Sequence, residues 1–470
     1  MEVALLSCRK SVLPYPNRTV TSVEATRHYE CSNEPTVNSI LNETPHRIVI
    51  VGGGAGGLEL ATALGRKLRR AHAQITLVDC SLTHIWKPLL HEVAAGVLDA
   101  GREALSFAAQ AKWNHFRFVA GCMNGLDRQR QVIRLAAWRG RVSKVETPAA
   151  QLAYDTLILA VGSVGNDFGI PGVAQNCIFL DSTAQAQDLR ENLLERHISR
   201  ATQQIGTPLR VVIIGGGATG VELSAELVDA NRRLAYYHRS RKEGLENLQV
   251  TLLEAGARLL PALPERIGQG AKHDLEDMGV TVRTSTTVKL ASRAGVLDAD
   301  GNTFEADVMV WAAGVRAPAF LHEIDGLESN RNGQLVVQST LQSTRDAAVF
   351  AIGDCAACPV QRGSTHHVAA LAQAAHQQAA LLVKNVQRRL DGMPLIDFRF
   401  ADKGTLVSIA SHNTFGRLFG NRVIEGHLAR LFYVSLYRVH QVLLYGYWRT
   451  AGLMVGSFVS RSSRPKLKLH

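Results

Sequence analysis

Short, unbroken apolar runs, each closed by a glycine or an acid, punctuate this chain. The first, Ile48-Val-Ile-Val51, has no polar alternation, which is the pattern of a strand buried on both faces. It passes into Gly52-Gly-Gly-Ala-Gly-Gly57 and a helix-forming stretch from Leu58 to Arg70, so the pattern predicts strand, glycine turn and helix. A second strand, Gln74-Ile-Thr-Leu-Val-Asp79, ends in a carboxylate 22 residues beyond Gly57. A later run, Tyr154 to Gly162, is again apolar and ends in glycine.

The same phrase then returns. Arg210-Val-Val-Ile-Ile214 leads into Gly215-Gly-Gly-Ala-Thr-Gly220 and a helix from Val221. Val250 to Glu254 is the acid-ended strand, and Ala306 to Gly314 closes the unit. The chain therefore carries an internal duplication of an α/β unit. In the second copy a basic stretch, Arg232 to Lys242, extends the first helix into a loop. A strand at Gln334 to Val337, the run Val349-Phe-Ala-Ile-Gly-Asp354 and an Ala/Gln-rich helix through Leu390 follow. From Arg422 onward the tail is aromatic, basic and helical in period. Met1 to Pro45 lacks a sustained apolar period and reads as a mobile, disordered tail. Its apolar stretch after Glu2 is too short for a signal peptide, and its five acids oppose a transit peptide; an over-extended start codon is an equal origin.

The duplicated turn has a chemistry. A dinucleotide brings a pyrophosphate against the backbone, which requires a turn without side chains and a helix N-terminus aimed at the phosphates. Gly52, Gly54 and Gly57 have G-x-G-x-x-G spacing, as do Gly215, Gly217 and Gly220. Asp79 and Glu254 stand where a carboxylate takes ribose hydroxyls, and Gly162 and Gly314 end the return strands. Glu254 would repel a 2′-phosphate, which favours NADH over NADPH. Asp354, with Gly353, ends a late strand expected to rejoin the first unit. An Asp so placed holds the ribityl chain of FAD in flavoproteins with two dinucleotide sites, which assigns FAD to the first copy and NADH to the second. The expected fold is α/β, with two Rossmann-like dinucleotide-binding domains. The boundaries are 46–174 and 326–400 for the FAD domain, 175–325 for the NADH domain and 401–470 for a C-terminal membrane-anchoring helical region.

Length and composition narrow the class. The 470 residues, 46% hydrophobic and 20% charged, exclude a short secreted scaffold and a mainly disordered chain. The seven cysteines show no framework spacing, which points to a reducing compartment. Ser81 to Glu92, where disulfide reductases of this architecture place their redox pair, has no cysteine. Cys355 and Cys358 have C-x-x-C spacing but abut the flavin contact, and read as packed small residues. No His/Cys set has zinc spacing, so no metal is expected. The net charge is +11, of which +9 lies from Phe398 to His470. That localisation argues for an anionic lipid surface rather than nucleic acid.

With these motifs the chain closely resembles the bacterial type II NADH dehydrogenases, single-subunit respiratory NADH:quinone oxidoreductases. The resemblance runs over about residues 46 to 470 and includes Trp86-Lys-Pro-Leu-Leu-His-Glu-Val93, Gly215 to Leu223, Ala372-Gln-Ala-Ala-His-Gln377 and Arg464 to His470. It implies noncovalent FAD, hydride from NADH to the flavin, and electron delivery to a membrane quinone, ubiquinone by preference, without proton pumping. It implies that Gln373 and Gln377, four apart on one helix face, offer neutral amides to quinone carbonyls. The small Ala374 then lets flavin and quinone approach, and Lys87 joins the cofactor contacts. Glu222 becomes a candidate proton relay and Lys403 a lysine near the flavin edge.

Leu428, Leu431, Phe432, Leu436, Val439, Val442 and Leu443 recur at helical spacing, with Arg430, Arg438, Tyr445, Tyr447, Trp448 and Arg449 between and after them. Uncharged runs there fall short of the roughly 20 residues needed to span a bilayer, so the expectation is an in-plane anchor on the cytoplasmic face of a bacterial inner membrane. A homodimer interface could share that surface. Two other readings stay open: a flavin-dependent disulfide or ferredoxin reductase, and a basic flavoprotein of the apoptosis-inducing type that binds nucleic acid.

Overall fold

The computed structural model describes residues 45–139, 146–203, 205–237, 248–410, 412–418 and 422–461. The N-terminal stretch read as a tail, part of the basic stretch after Tyr237 and the Arg464 to His470 phrase lie outside them.

The β-branched run forms β1 (His46–Val51), whose Ile48, Val49 and Ile50 are buried. Each such side chain taken from water contributes about 1.5–3 kcal/mol. Helix α1 (Ala55–His72) follows the glycine turn directly, then β2 (Ala73–Asp79), the short helix α2 (Leu90–Ala94), β3 (Arg117–Ala120) and β4 (Thr156–Leu159). The second unit begins with β5 (Ile178–Phe179) and β6 (Leu209–Ile214). It continues with α3 (Ala218–Tyr237), β7 (Leu248–Leu253), β8 (Thr281–Arg283) and β9 (Val308–Trp311). The Val349–Ala351 run is β10.

Two five-stranded sheets result, in the orders β10-β4-β1-β2-β3 and β5-β9-β6-β7-β8. All their pairings are parallel. Position by position the sheets correspond, so the duplication in sequence is a duplication in topology. Strand β10 pairs with β4, Leu159 opposite Ala351, and so returns the late chain to the first sheet as expected. Just before each return strand sits a three-stranded antiparallel meander that the apolar pattern did not reveal. Its strands are Cys122–Asp127, Val132–Ala136 and Ala150–Ala153 in the first unit and Val288–Ser292, Gly295–Asp298 and Thr303–Glu305 in the second.

Helix α4 (Ala372–Leu390) packs along α1. After it come β11 (Gly404–Ile409), β12 (Asn413–Leu418) and β13 (Arg422–Glu425), an antiparallel sheet. The sequence reading treated 401–470 as one helical anchoring region; instead Val407, Ile409 and Phe415 join the core of the second unit. Only after them do α5 (His427–Tyr445) and α6 (Tyr447–Arg461) begin. No described helix is long and apolar enough to cross a membrane.

Candidate active site between the two glycine turns

Both glycine turns have the same construction. Gly52 and Gly215 adopt φ +102° and +116°, the left-handed region that glycine tolerates. A Cβ on Gly57 would stand 1.9 Å from the Gly52 carbonyl, and one on Gly220 would stand 1.9 Å from the Gly215 carbonyl. Gly54 and Gly217, by contrast, have no atom within 4 Å of that position. Each turn thus closes tightly on its own strand and leaves open space at the helix N-terminus, where a pyrophosphate fits. The acids are matched too. Asp79 accepts from the amides of Gly53 and Ser81, both at 2.6 Å, and Glu254 from those of Gly216 and Gly256, also at 2.6 Å. Burial raises the Asp79 carboxyl above its ordinary range, against the pull of those two amides.

Asp354 follows β10 in a short turn. Its Oδ2 accepts from Ser163 Oγ at 2.7 Å, and its carbonyl from Gln334 Nε2 at 2.9 Å. The Gly353 amide donates to Gln378 Oε1 of α4 at 2.7 Å. Ser163 follows Gly162 (φ +71°), and its carbonyl accepts from Lys87 Nζ at 2.8 Å, so Lys87, Gly162 and Asp354 share one edge. Gly314 (φ +66°) closes the second return strand. Ala374 is buried, and a Cβ on Gly353 would lie 3.4 Å from Ala375. The small side chains of α4 therefore leave room beside the Asp354 turn, which is where a flavin held by Asp354 fits.

Gln373 and Gln377 share a helix face, and both amides bond to the backbone of the loop beside it. Gln377 exchanges hydrogen bonds with the backbone of Ala401, donating at 2.9 Å and accepting at 3.0 Å. Gln373 donates to the Gly404 carbonyl at 3.3 Å and accepts from the Lys403 amide at 3.1 Å. The two amides hold the 401–404 loop against α4 and so build a wall of the site.

Glu222 is buried in α3 and accepts from the Ser408 amide of β11 at 3.0 Å. Burial, with Glu92 and Glu226 nearby, raises its carboxyl to about 8. Burial likewise lifts Glu92 and Glu226 to about 7 each, with Glu103 adding to the first and Glu92 to the second. Tyr433 of α5 hydrogen-bonds Glu222, and burial pushes its phenol upward. His91 Nδ1 lies 3.6 Å from Glu222, yet burial lowers that imidazole to about 4, so the contact joins two neutral groups at neutral pH and is no ion pair. Three carboxyls raised by burial therefore gather around α3. The sequence reading singled out Glu222 alone; Glu226 stands one turn further along α3, while His91 and Glu92 of α2 and Tyr433 of α5 are brought to it from two other elements.

Cys355 and Cys358 are buried and unpaired, their thiols pushed up to about 11 and 12 by burial, which leaves them unreactive. The cysteine pattern misled in one respect. Cys80 and Cys122 form a disulfide with Cα atoms 4.7 Å apart, beside the Asp79 carboxylate. A ribose-binding acid marks the adenosine end of a dinucleotide, so this pair stands away from the flavin-ring end marked by Asp354. Among the described residues no His/Cys/Asp/Glu group has metal-holding geometry.

Helix α5 turns one face inward through Ala429, His440, Gln441 and Leu444. On the other, Leu428, Leu431, Phe432, Val439 and Leu443 are exposed, followed by Tyr447 and Trp448 at 80% and 90% exposure. Arg449 stacks on the Trp113 ring at 4.5 Å. The Leu436 side chain lies outside the described ones.

Comparison with known proteins agrees with this geometry. Residues 46–379 match the model of the pyridine nucleotide-disulphide oxidoreductase family. The chain is 44% identical over 444 residues, 90% of its length and 99% of the relative's, to a type II NADH:quinone oxidoreductase of Haemophilus influenzae. It is 28% identical over 384 residues, 80% of this chain and 90% of the other, to one of Staphylococcus aureus. The structure of NDH2 from Plasmodium falciparum in complex with NADH superposes with a TM-score of 0.75 at 19% identity, over 90% of this chain and all of that one. Two matched glycine turns, the returning Asp354 strand and this extended identity lead to one conclusion: the chain belongs to the type II NADH:quinone oxidoreductases.

Proposed function

We propose that this chain oxidises NADH and reduces a quinone at a membrane surface, with FAD in the first glycine turn and NADH in the second. The observation that carries the reading is the pair of superimposable turns, of which only the first receives a returning strand with Asp354. When bound, FAD supplies a centre that accepts hydride from NADH and passes on two electrons. The chain's own groups bind and orient. The Gly52–Gly57 turn with Asp79 holds one dinucleotide, and the Gly215–Gly220 turn with Glu254 holds the other. Lys87, Ser163 and Asp354 line the edge between them. Gln373 and Gln377 fix the 401–404 loop, with Lys403, as the wall against which a quinone ring would rest. The protonated Glu222, backed by Glu92 and Glu226, keeps a proton close to the second turn.

The exposed apolar face of α5 with Tyr447, Trp448 and Arg449 supports in-plane docking on anionic lipid, at the cytoplasmic face of a bacterial inner membrane. With no described helix that crosses a bilayer, the reading includes no route for pumped protons. The test is NADH oxidation by purified, flavin-loaded protein with and without a short-chain quinone. A flavin spectrum that NADH bleaches and quinone restores is expected; a preparation with no flavin, or one indifferent to quinone, defeats the reading.

A further inference from the structure

Helix α5 starts as the two dinucleotide helices do, on a glycine with open space around it. Gly426 adopts φ +75°, and no described atom lies within 4 Å of where a Cβ would stand. Among the described residues no side chain caps the helix and no acid stands in its first turn, so its first amides have no side-chain acceptor and the positive pole of the helix is uncompensated. Strand β12 fixes this terminus: the Gly426 amide donates to the Thr414 carbonyl at 3.0 Å and to Asn413 Oδ1 at 3.2 Å. Between strand and helix lies an open cavity of about 270 Å³, lined by His412, Asn413, Thr414, Gly426, His427 and Arg430.

One wall of this cavity holds an unmet hydrogen bond. Thr414 is 1% exposed, and its hydroxyl has no partner among the described residues, an expensive condition for a buried polar group. Because Thr414 lines the cavity beside the helix terminus, an acceptor bound there meets the hydroxyl and the helix amides together. His427 and Arg430, both exposed on the rim, bring an imidazole N–H and a guanidinium fork. The carboxylates around the cavity are engaged elsewhere. Glu425 pairs with Arg266 at 3.2 Å, and Asp274 accepts from Asn413 Nδ2 at 3.0 Å. On its far side Arg430 is close enough to Glu92 and Glu226 to favour their ionised forms.

We propose that this cavity binds a single phosphate group, whose oxygens accept from the first amides of α5, the Thr414 hydroxyl, His427 and Arg430. A phosphate carries acceptors in several directions at once, which suits donors converging from a strand, a helix end and two side chains. A phospholipid headgroup and free phosphate share this chemistry. The neighbouring side chains favour the lipid: Leu428, next to His427, and Leu431, next to Arg430, are 57% and 64% exposed, so acyl chains can run along them from a phosphate in the cavity. The site does not depend on the oxidoreductase reading. To in-plane docking it adds a point at which one headgroup is held.

Full-length, flavin-loaded protein is titrated with dihexanoyl phosphatidylglycerol below its micelle concentration and, separately, with inorganic phosphate, binding being read from the 31P line width. Wild type should saturate. Thr414→Val, which changes no charge and keeps the volume, should weaken binding about tenfold, and Arg430→Gln by about tenfold or more. NADH oxidation with a short-chain quinone should stay within about twofold in both variants, because neither residue lies at the glycine turns. Tighter binding of the lipid assigns the site to a membrane headgroup, and tighter binding of inorganic phosphate assigns it to a soluble anion; each supports the proposal. No saturable binding of either compound, or equal binding by wild type and both variants, overturns it. If T414V does not fold, R430Q on the exposed rim decides alone. Sedimentation with phosphatidylglycerol vesicles separates this from the docking reading: wild type and variants that sediment alike, without saturable short-chain binding, overturn the site and leave docking standing, whereas wild type that does not sediment overturns docking.

Discussion

In the first glycine-turn helix, the glutamate two residues past the third glycine meets only imidazoles among titratable side chains; in the second, the same step meets carboxyls, a phenol and one imidazole, His91, that burial keeps neutral. Glu59 is flanked by His376 and His440 and is held ionised. Glu222 is flanked by Glu92 and Glu226 and is held protonated to about pH 8. One helix serves both, because α5 presents Tyr433 to Glu222 and His440, seven residues and two turns later, to Glu59. The backbone of a duplicated unit therefore sets where a side chain stands, and the packing added around it sets its charge. A dinucleotide turn followed by an acid leaves the protonation state of that acid undetermined until the covering elements are known.

The largest expected effects come from disrupting the turns themselves. G57A puts a methyl 1.9 Å from the Gly52 carbonyl, and G220A repeats the clash at Gly215. Each should cost several kcal/mol, on the order of a severe backbone lesion. The losses should differ in kind: G57A protein should purify without flavin absorbance, while G220A should keep the flavin and lose NADH affinity by at least about a hundredfold. Flavin loss in G220A instead would reverse the assignment of the two sites.

Next come the two glutamates, with opposite signs in pH. A carboxyl raised on folding keeps a proton that the unfolded chain releases. Glu222 therefore makes stability fall as pH rises from about 4.5 towards 8, by up to about 1.4 kcal/mol per pH unit. E222Q should remove that part of the slope and leave a protein at least as stable as wild type at pH 8. A carboxyl lowered on folding does the reverse: the Glu59 contribution is complete above its unfolded value and is lost as pH falls through its folded one. E59Q should cost about 1–3 kcal/mol at neutral pH, since it removes a carboxylate that accepts from both His376 and His440, and should flatten the acid limb. Urea unfolding of both variants from pH 4 to 9 would show whether the two slopes separate in this way.

The reach of the sequence reading follows the same division between backbone and cover. Glycine turns, acid-ended strands and the return of Asp354 are local or repeated patterns, and the folded chain has all of them. The two meanders escaped notice because their strands are short and lack a sustained apolar period. The β11–β13 sheet was hidden inside a stretch whose net charge pointed to an anchor. Glu59 was legible in principle, since aligning Gly52–Glu59 with Gly215–Glu222 pairs the two glutamates. Its imidazole partners were not, because His376 and His440 are more than 300 residues away in sequence. The Cys80–Cys122 pair, 42 residues apart, and the capture of Gln373 and Gln377 by the 401–404 backbone were equally out of reach.

A smaller effect should isolate the part played by α5. Y433F removes one hydrogen bond to a carboxyl that already holds the Ser408 amide at 3.0 Å, so about 1 kcal/mol is expected. Because the phenol favours the ionised carboxylate, its loss should move the Glu222 transition further upward. The Glu59 transition should stay where it is, since Tyr433 touches only the second glutamate.

The smallest effect on folding is expected on the outward face of the same helix. Leu431 and Val439 are 64% and 56% exposed, so the pair L431S and V439S removes little buried surface and should change unfolding free energy by no more than about 0.5 kcal/mol. Both glutamate titrations should be unchanged, because Tyr433 and His440 point the other way. Binding to vesicles containing anionic lipid should nevertheless weaken by about tenfold or more, since each lost side chain contributes about 1.5–3 kcal/mol when it leaves water. Unaltered vesicle binding would locate lipid contact elsewhere. A shift in either glutamate titration would show that the inner and outer faces of α5 are coupled, and that docking on a membrane sets the charge of the two carboxyls.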